Sequence, residues 1–261
     1  MTKYMRDMTV TESISLHHSY CLLKLTSQHM LPEMNPGQFV QVWIKNSSAT
    51  FLRRPISIHY VDRNKNELWL LIQKVGNGTR SIALCRPGDQ LNLLLPLGKG
   101  FTIPPPIRAG KPKLLLIGGG VGVAPLLFWG ASLNDAGFEP HFLLGARTKN
   151  ELLQLEHFRK YGTVYTATED GSHGEKGFVT HHSILKNVRF DNLYTCGPKP
   201  MMKAVADYAF SASIPCEVSL ENTMACGIGA CLCCVEDTHG GNVCVCTEGP
   251  VFNIDKLKWQ N

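Results

Sequence analysis

Six of the ten cysteines in this 261-residue chain lie in one stretch near its end, MACGIGACLCCVEDTHGGNVCVCTEGP. Cysteines at this density serve as disulfide partners or as metal ligands. Cys226, Cys231 and Cys234 form a C-x4-C-x2-C pattern, which is typical of plant-type [2Fe–2S] ligation with a fourth cysteine downstream. A zinc ribbon normally pairs one C-x2-C with another, whereas the second pair here is C-x-C. The spacing therefore predicts an iron–sulfur cluster, with zinc and disulfides as the alternatives.

The spacing leaves the fourth ligand open. Cys244 and Cys246 are two residues apart, so on a strand both side chains would point to the same face. Cys233 breaks the spacing, and we expect it to pack beside Cys234 without binding metal. The small residues of ACGIGAC would let a loop turn its N–H groups towards sulfur, and such hydrogen bonds tune the potential of a cluster.

The composition is that of a globular protein, with 44% hydrophobic and 18% charged residues. The net charge of +5 comes from scattered Lys and Arg, whereas nucleic-acid binding would call for a basic patch. The first residues have no apolar core of the kind that a signal peptide needs, so we expect a cytoplasmic, reducing location in which disulfides are disfavoured. The uncharged run at 114–133 is long enough to span a bilayer, but its central glycines and proline predict a strand, a turn and a helix.

Three parts follow one another along the chain. Residues 1–105 are β-rich, 106–212 alternate strands and helices as in a parallel sheet with crossover helices, and 213–261 hold the clustered cysteines. Prolines at 102–112 mark a linker. The predicted strands are GQFVQVWI (37–44), RPISIHYV (54–61), ELWLLIQKV (67–75), KLLLIGG (113–119), PHFLLGA (140–146), TVYTAT (163–168) and FDNLYTCGP (190–198), and the predicted helices are LLFWGASLNDAG (126–137), ELLQLEHFRKYG (151–162) and 199–210.

Two stretches of the β-rich part could bind a nucleotide. In LRRPISI, the Arg54 guanidinium could clamp a diphosphate and the Ser57 hydroxyl could hydrogen-bond the edge of a heterocycle. In VGNGTRSIAL, two glycines let the backbone approach closely, and Thr79 can cap the following helix, whose free N–H groups suit phosphate. The simpler alternatives are an exposed arginine with a solvated serine, and an ordinary glycine turn.

A second nucleotide site is predicted in the α/β part. IGGGVGVAP (117–125) has the strand, glycine turn and helix of a dinucleotide fingerprint, although Val123 replaces the last glycine of G-x-G-x-x-G. TCGP would bring Cys196 and Gly197 to the carboxyl edge of the same sheet, where ligands of open α/β sheets bind. A tight turn without ligand and a buried, apolar Cys196 are the alternatives.

Charged residues near this site bear on the choice of nucleotide. Glu169 and Asp170 follow the strand TVYTAT, and their carboxylates would repel a 2′-phosphate. That favours NAD over NADP, whereas Arg147 favours the opposite choice.

Several of these motifs together resemble one family. ENTMACGIGACLCCV (221–235) and VCTEGPVF (245–252), with RRPISI, VGNGT, GGGVGVAP and CGPKPMM, resemble the electron-transfer subunits of bacterial two-subunit, NAD-linked dihydroorotate dehydrogenases, over essentially the whole chain. Those subunits are ferredoxin-reductase-like flavoproteins that end in a [2Fe–2S] module. The resemblance implies a mixed β and α/β fold: an antiparallel β-barrel for FAD at 1–105, a Rossmann-like parallel α/β domain for NAD at 106–212, and a small cluster module at 213–261.

The resemblance also implies roles for individual residues. The last ligand of that family precedes x-[Asp/Glu]-Gly-Pro, which selects Cys246 here. The wider superfamily often has a tyrosine on the flavin face where this chain has Ile56. The candidate residues are Arg54, Pro55, Ile56, Ser57, Gly78, Thr79 and the backbone of Leu71, Ile72 and Gln73 for FAD; Gly118, Gly119, Gly120, Gly122, Cys196 and Gly197 for NAD; and Cys226, Cys231, Cys234 and Cys246 for the cluster.

The implied function is electron transfer in pyrimidine (UMP) biosynthesis. No acid–base pair or nucleophile stands out, so no catalytic residue is predicted, as expected where cofactors supply the chemistry. Electrons would pass from an FMN-containing catalytic subunit, which turns dihydroorotate into orotate, through the cluster and FAD to NAD⁺, in a heterotetramer with two of each subunit. A cluster near a ferredoxin-like potential of about −400 mV would be a poor intermediate, so we expect loop hydrogen bonds to raise its potential.

Two alternatives remain. One is a similar flavin and iron–sulfur subunit that serves a hydrogenase or a ferredoxin–NADP oxidoreductase. The other is a zinc-stabilised binding module with a vestigial nucleotide domain, which is not an enzyme.

Overall fold

The computed structural model describes residues 2–45, 50–105 and 111–259. The chain forms two compact units. The barrel unit, as we call the first, comprises Met1–Gly100, Asn222–Glu236 and Asn242–Pro250, and the sheet unit comprises Phe101–Glu221, Asp237–Gly241 and Val251–Asn261. The predicted linker at 102–112 lies partly outside the described residues, at 106–110.

Strands and helices follow one another along the described chain. The strands are β1 (Tyr4–His17), β2 (Tyr20–Thr26), β3 (Phe39–Trp43), β4 (Arg54–Asp62), β5 (Glu67–Gln73), β6 (Gln90–Leu97), β7 (Leu114–Gly119), β8 (Pro140–Ala146), β9 (Thr163–Thr168), β10 (Glu175–Lys176), β11 (Asn192–Cys196), β12 (Cys216–Ser219), β13 (Val235–Thr238), β14 (Gly241–Cys244) and β15 (Val251–Asn253). The α-helices are α1 (Asn77–Ala83), α2 (Ala124–Asp135), α3 (Leu155–Arg159), α4 (Ile184–Asn187), α5 (Lys199–Ala212) and α6 (Val245–Glu248).

The barrel unit is built on a closed antiparallel barrel with the strand order β1-β2-β5-β4-β3-β6, in which β6 returns to pair with β1. Its interior is filled by side chains that are wholly removed from solvent, among them Leu23, Ile58, Leu70 and Leu93. Burying each such side chain stabilises the fold by about 1.5–3 kcal/mol. The predicted antiparallel barrel is confirmed.

The sheet unit contains a seven-stranded sheet with the order β10-β9-β8-β7-β11-β12-β15. Neighbouring strands run parallel except β15, which pairs antiparallel with β12. Leu114–Ile117 are fully buried, as expected for a strand covered on both faces. On α5, Met202, Val205, Ala206 and Ala209 are buried with the spacing of one helix face. The predicted parallel α/β arrangement is therefore confirmed.

The strand order places the carboxyl ends of β7 and β11 beside each other. The chain runs from β7 outwards to β8, β9 and β10 on one side and later returns to β11 on the other, so the order reverses between β7 and β11. Open α/β sheets bind their ligands at such a reversal. The two turns that leave these strands hold the residues predicted for NAD.

One predicted helix is largely wrong. In ELLQLEHFRKYG (151–162) only Leu155–Arg159 is α-helical, after a 3₁₀ turn at Lys149–Glu151 and a left-handed Gln154 at φ +59°. Leu153 and Phe158 are both buried. A continuous helix would set these two side chains about 140° apart, because successive residues turn by about 100°, and the break allows both to reach the core.

The uncharged run at 114–133 forms β7 and most of α2. Among the helices of the described ranges, none combines the length and the apolar character needed to cross a bilayer.

Candidate cofactor sites

The cluster loop, residues 226–234, and the following segment bring five of the six clustered cysteines together. The Ile228 N–H donates to Cys226 Sγ at 3.4 Å, and the Cys246 N–H donates to Cys234 Sγ at 3.4 Å. The Gly229 N–H donates to Cys246 Sγ at 3.2 Å, so the loop and the downstream segment share hydrogen bonds. Backbone N–H groups directed at sulfur are what the small residues of the loop predict.

Glycine is required in this loop for conformational reasons. Gly227 and Gly229 have φ angles of +72° and +85°, a left-handed region that glycine enters without steric cost. Leu232 also has a positive φ, +56°, and its side chain is 64% exposed. The loop thus turns its amides inwards and leaves part of its apolar surface outside.

The thiols differ in their readiness to ionise. Burial alone would raise the pKa of Cys226, but N–H groups of Ile228, Cys231 and Ala230 outweigh it and lower the pKa to about 6. Burial, followed by the neighbouring Cys234, raises the pKa of Cys246 to about 12. Since the thiolate is the form that binds metal, Cys226 offers one at neutral pH, whereas Cys246 releases a proton as it binds.

Cys244 lies in the same neighbourhood as the predicted ligands. Burial, and then the neighbouring thiols of Cys234, Cys231 and Cys226, raise its pKa. It is half-buried, whereas Cys246 is 1% exposed and joined to the loop by two hydrogen bonds. These contacts favour Cys246 as the fourth ligand. Cys233 is exposed, and so is the predicted ligand Cys231, so exposure does not distinguish a ligand from a non-ligand.

All ten cysteines lie in described residues, and all are free thiols. Within the described ranges, no group of three His, Cys, Asp or Glu side chains is arranged to hold a single metal ion. A [2Fe–2S] cluster has two irons and four cysteine ligands, so it does not need three ligands on one metal.

The segment after Cys246 contacts the residues that follow β6. Lys99 Nζ lies 2.7 Å from Glu248 Oε2, and Lys99 forms an isolated bridge with Pro250. A Cβ on Gly98 would come within 2.6 Å of Pro250 Cδ, so only glycine fits there. The T-E-G-P motif therefore joins the cluster segment to the barrel within one unit.

The predicted FAD residues border a slot between β4 and β5. The ladder between these strands starts at Asp62↔Glu67 and ends at Ile58↔Leu70. Both strands continue further, β4 back to Arg54 and β5 on to Gln73. Backbone groups of 71–73 thus face no partner on β4 in that ladder, although the Gln73 carbonyl accepts a hydrogen bond from the Val75 N–H at 3.0 Å. Buried backbone groups need a partner, which a cofactor could supply on that side.

One end of this slot is formed by Arg54 and Gly78. A Cβ on Gly78 would lie 2.6 Å from Arg54 Nε and 2.8 Å from Ile44 Cδ1, so the glycine lets the guanidinium lie against the start of α1. Arg54 Nη1 donates to the carbonyls of Leu52 and Arg53 at 2.9 and 3.2 Å, which fixes its direction. The two residues predicted to hold a diphosphate therefore lie side by side.

Thr79 has a structural task as well. Its Oγ1 accepts hydrogen bonds from the N–H groups of Val75 and Gly76 at 3.1 and 3.2 Å, which closes a capping box at the start of α1. Ser57 and Pro55 are half-buried on β4, and Ile56 is buried. The structure thus places the predicted FAD residues on β4, β5 and the start of α1, and it brings Arg54 and Gly78 into contact.

The predicted NAD residues also meet. Gly122 touches the backbone of Cys196 and Gly197 so closely that no Cβ fits between them, and Gly118 pairs with Cys196 across β7 and β11. Gly119 lies against Met201, since a Cβ there would be 2.6 Å from its Sδ. The required glycines thus hold two turns together at the carboxyl edge of the sheet.

Two of the predicted NAD residues have different local roles. Gly120 turns the chain out of β7 with φ +57°. Cys196 is fully buried, and burial raises the pKa of its thiol well above the ordinary value. A protonated, buried thiol packs as a small apolar group, so its backbone is the part offered to a ligand.

The charged residues beyond β8 and β9 also lie together. The Asp170 N–H donates to the Arg147 carbonyl at 3.2 Å, and the Glu169 N–H donates to the Ala146 carbonyl at 3.1 Å. Hydrogen bonds from the Ser172 hydroxyl and N–H lower the pKa of Asp170. Two carboxylates and one guanidinium therefore follow neighbouring strands at this edge of the sheet.

Sequence reasoning missed Gln41, in the middle of β3. Its side chain is wholly buried, yet neither Nε2 nor Oε1 has a hydrogen-bond partner among the described residues. Leaving one such buried group unpaired costs about 1–3 kcal/mol. A Cβ on Gly227 would lie 2.8 Å from Gln41 Cγ and 2.9 Å from its Nε2, so the carboxamide packs on the cluster loop. The available signal was a polar residue in an otherwise apolar strand, FVQVW.

Two family models match parts of the chain. The iron-sulfur cluster binding domain of dihydroorotate dehydrogenase B matches residues 221–258, and the oxidoreductase NAD-binding domain matches residues 116–207. The first match covers the predicted cluster ligands, and the second covers the glycine turn with Cys196 and Gly197. They confirm the predicted iron–sulfur cluster and NAD at the level of whole domains.

Similar proteins extend this over the chain. The dihydroorotate dehydrogenase B (NAD(+)) electron transfer subunit of Geobacillus sp. (strain WCH70) is 40% identical over 237 residues, which cover 89% of this chain and 91% of that protein. The chain belongs to the family of dihydroorotate dehydrogenase B electron transfer subunits. The subunit of that name from Fusobacterium nucleatum is 36% identical over 255 residues, with 94% and 95% covered. The family predicted from the motifs is confirmed.

Two solved structures are similar in fold to this electron transfer subunit. The structure of an NADH-dependent reduced ferredoxin-NADP oxidoreductase, described for flavin-based electron bifurcation, has a TM-score of 0.85 and 27% identity, covering 97% of this chain and 90% of its own. The FAD/NAD binding domain of nitric oxide dioxygenase from Vibrio cholerae O1 biovar El Tor has a TM-score of 0.68 at 17% identity, covering 82% and 98%. The latter is a likeness of fold alone.

Proposed function

We propose that this chain is the electron-transfer subunit of an NAD-dependent dihydroorotate dehydrogenase and that it passes electrons from dihydroorotate oxidation to NAD⁺ in pyrimidine biosynthesis. The observation that carries the proposal is the cysteine cluster at 226–246, with its N–H···S hydrogen bonds, inside a chain that is 40% identical to a subunit of that name. A bound flavin exchanges a hydride with nicotinamide and single electrons with an iron–sulfur cluster.

The cluster is held by Cys226, Cys231, Cys234 and Cys246. The N–H groups of Ile228, Gly229 and Cys246 stabilise thiolate charge at three of these sulfurs. Such hydrogen bonds favour the more negatively charged reduced state, so the loop raises the potential of the cluster. The buried Cys234 and Cys246 keep water from one side of the site.

FAD is held in the slot between β4 and β5. Arg54 binds the diphosphate beside Gly78 and Thr79, and the backbone of Leu71, Ile72 and Gln73 hydrogen-bonds the cofactor from β5. Pro55, Ile56 and Ser57 line the same slot, with the Ser57 hydroxyl at the reactive edge of the flavin. Ile56 gives the flavin an aliphatic neighbour where the wider superfamily often has tyrosine.

NAD is bound at the carboxyl edge of the parallel sheet. Gly118, Gly119, Gly120 and Gly122 form the turn against which the nucleotide lies, and the backbone of Cys196 and Gly197 completes the site. In terms of domains, FAD belongs to 1–105, NAD to 106–212 and the cluster to 213–261.

The companion is an FMN-containing dihydroorotate dehydrogenase subunit. Two copies of it and two copies of this chain form a heterotetramer, which is located in the cytoplasm. We place its contact around the cluster loop. There Cys231 is exposed, and the apolar side chains of Ile228, Leu232 and Val235 are 45%, 64% and 38% exposed. Exposed apolar side chains at a redox centre suit a surface that another protein covers.

Anaerobic co-purification with the companion from the native organism tests the function. The complex should reduce NAD⁺ when dihydroorotate is added. A Cys226→Ala chain should lose that activity and keep NADH oxidation by ferricyanide, because the FAD and NAD sites remain. A wild-type complex that oxidises NADH but ignores dihydroorotate would remove the pyrimidine assignment and keep electron transfer.

A second candidate function is favoured by one observation. The TM-score of 0.85 to the ferredoxin-NADP oxidoreductase structure, over 97% of this chain, suits a subunit that exchanges electrons with ferredoxin. Reduction of NADP⁺ by reduced ferredoxin on the purified complex, at a rate above that with dihydroorotate, would establish it.

A further inference from the structure

The Gln41 carboxamide is a buried polar group that the sites above leave unused. The residue lies in the middle of β3 with no exposed surface, and neither its nitrogen nor its oxygen has a partner in the described part of the chain. Its backbone is accounted for, since its carbonyl accepts from Arg53 Nη1 at 3.2 Å. A buried carboxamide without partners points to a group that the chain alone does not supply.

The ladder between β3 and β4 shows which face the side chain belongs to. Gln41 pairs with Pro55, and Phe39 pairs with Ser57. Residues directly opposite in an antiparallel pair share a face. The Gln41 side chain therefore lies on the same face as Pro55 and Ser57, at the strand we assign to FAD.

The other neighbour of the carboxamide is the cluster loop. Gly227 approaches so closely that an added Cβ would be 2.8 Å from Gln41 Cγ and 2.9 Å from Nε2. Gly227 follows Cys226 directly, and Cys226 Sγ accepts the Ile228 N–H at 3.4 Å. The carboxamide is thus packed one residue from the sulfur that forms one corner of the proposed site.

We propose that Gln41 is a positioning residue of the iron–sulfur centre, whose side-chain N–H donates a hydrogen bond to sulfur at the Cys226 corner of the cluster. The inference rests on the proposed ligand set and not on the substrate of the complex. It gives one residue two tasks: it seats the cluster loop on β3, beside the FAD strand, and it stabilises the reduced cluster.

The sign of the effect follows from charge. Reduction adds negative charge to the sulfurs, so an N–H donor stabilises the reduced state more than the oxidised state and raises the midpoint potential. Gln41→Leu removes the donor and keeps an apolar side chain of similar bulk. Gln41→Glu also removes the donor and adds an acceptor that repels the reduced cluster.

The test uses the full chain, purified anaerobically with its cofactors. Gln41→Leu should shift the reduction equilibrium of the cluster at least threefold towards the oxidised state, which lowers the midpoint potential by about 28 mV for one electron. It should also alter the electron paramagnetic resonance g values of the reduced cluster. Gln41→Glu should lower it further, and flavin absorption should stay as in wild type. The control is Gln90→Leu, the same substitution at an exposed position on β6.

Several outcomes overturn the inference. A Gln41→Leu chain with wild-type potential and g values shows that the carboxamide only fills space. A flavin shift with an unchanged cluster assigns the group to FAD instead. A wild-type chain without a cluster signal removes the proposed ligands, whatever the complex does with dihydroorotate.

A second measurement applies if Gln41→Leu fails to take up a cluster. Wild-type protein is labelled with the heavy nitrogen isotope in its glutamine side chains, and pulsed electron paramagnetic resonance records the reduced cluster. Coupling to a labelled nitrogen should be present, and it should disappear in Gln41→Met. Its absence in wild type overturns the inference.

Discussion

Arg54 lies against Gly78, and the space for its guanidinium exists because residue 78 has no Cβ. An added Cβ would stand 2.6 Å from Arg54 Nε and 3.2 Å from its Cγ. Gly78→Ala should therefore displace Arg54 from the proposed diphosphate position and weaken FAD binding by about tenfold or more, the equivalent of ~1.4 kcal/mol. Flavin content after gel filtration and titration of the stripped protein with FAD measure this.

The chain offers a matched control in Gly76, two residues before Gly78 in the same VGNGT motif. Gly76 has an extended backbone, and nothing lies within 4 Å of a Cβ added there. Gly76→Ala should retain wild-type FAD affinity. Equal losses in the two variants would show that the motif tolerates no side chain, and Arg54 would lose its assigned role.

The fourth cluster ligand can be separated from its neighbour by two parallel substitutions. Cys246 is joined to the loop by its N–H to Cys234 Sγ and by the Gly229 N–H to its own Sγ. Cys246→Ser should lower iron content or change the electron paramagnetic resonance signal, since oxygen replaces one sulfur ligand. Cys244→Ser should leave both as in wild type.

Cys233→Ser serves as the control for general damage, because that thiol is exposed. A normal cluster in Cys246→Ser together with a defective one in Cys244→Ser would transfer the ligand role to Cys244.

Nucleotide choice should respond to the two carboxylates beyond β9. Glu169 and Asp170 are hydrogen-bonded through their N–H groups to the carbonyls of Ala146 and Arg147. Their negative charge disfavours a 2′-phosphate. The double variant Glu169→Gln and Asp170→Asn should therefore raise kcat/KM for NADPH relative to NADH by about tenfold, in line with ~1.4 kcal/mol of repulsion removed.

Arg147→Gln should act in the opposite direction and lower the use of NADPH. Ferricyanide reduction with each nucleotide measures both variants without the companion subunit. An unchanged ratio in the double variant would place the ribose end of the nucleotide away from these carboxylates.

Features that depend on residues close in sequence could be predicted, whereas contacts between distant residues could not. The cluster was predictable because the spacing of Cys226, Cys231 and Cys234 is itself the signal. The parallel sheet followed from the alternation of apolar strand and helix segments, whereas the apolar segments of 1–105 predicted only a β-rich part and the barrel was implied by the family resemblance. The contact of Gly78 with Arg54 joins residues that the pattern marked separately, but only the fold makes them neighbours. The packing of Gln41 against Gly227 could not be predicted from local sequence, because the two residues are 186 positions apart.

The missed and misjudged elements have physical reasons. The strand β12 (Cys216–Ser219) is only four residues long, and it belongs to the sheet because β11 and β15 flank it. The helix predicted at 151–162 is broken at Gln154, where burial of both Leu153 and Phe158 outweighs helix propensity. Tertiary packing decides such short segments.

Stability should depend on pH through His141 on β8. Its ring stacks on Tyr165 and meets Phe190 edge-on, and its Nδ1 is buried without a hydrogen-bond partner in the described ranges. Burial, with a smaller contribution from Lys113, lowers its pKa, and Glu139 opposes the shift. The folded state therefore prefers the neutral ring. This contribution is complete above the unfolded-state pKa of about 6.5 and is lost as pH falls through the lower folded-state value.

His141→Phe keeps the ring contacts and removes the titrating group. As the pH is lowered from about 7.5 to about 5.5, the melting temperature of wild type should fall further than that of the variant. Thermal unfolding followed by circular dichroism, compared with an exposed control, His29→Gln, measures the difference. Acid loss of the cluster affects all three proteins alike and cancels. Parallel melting temperatures across this range would mean that His141 holds no proton-linked stability.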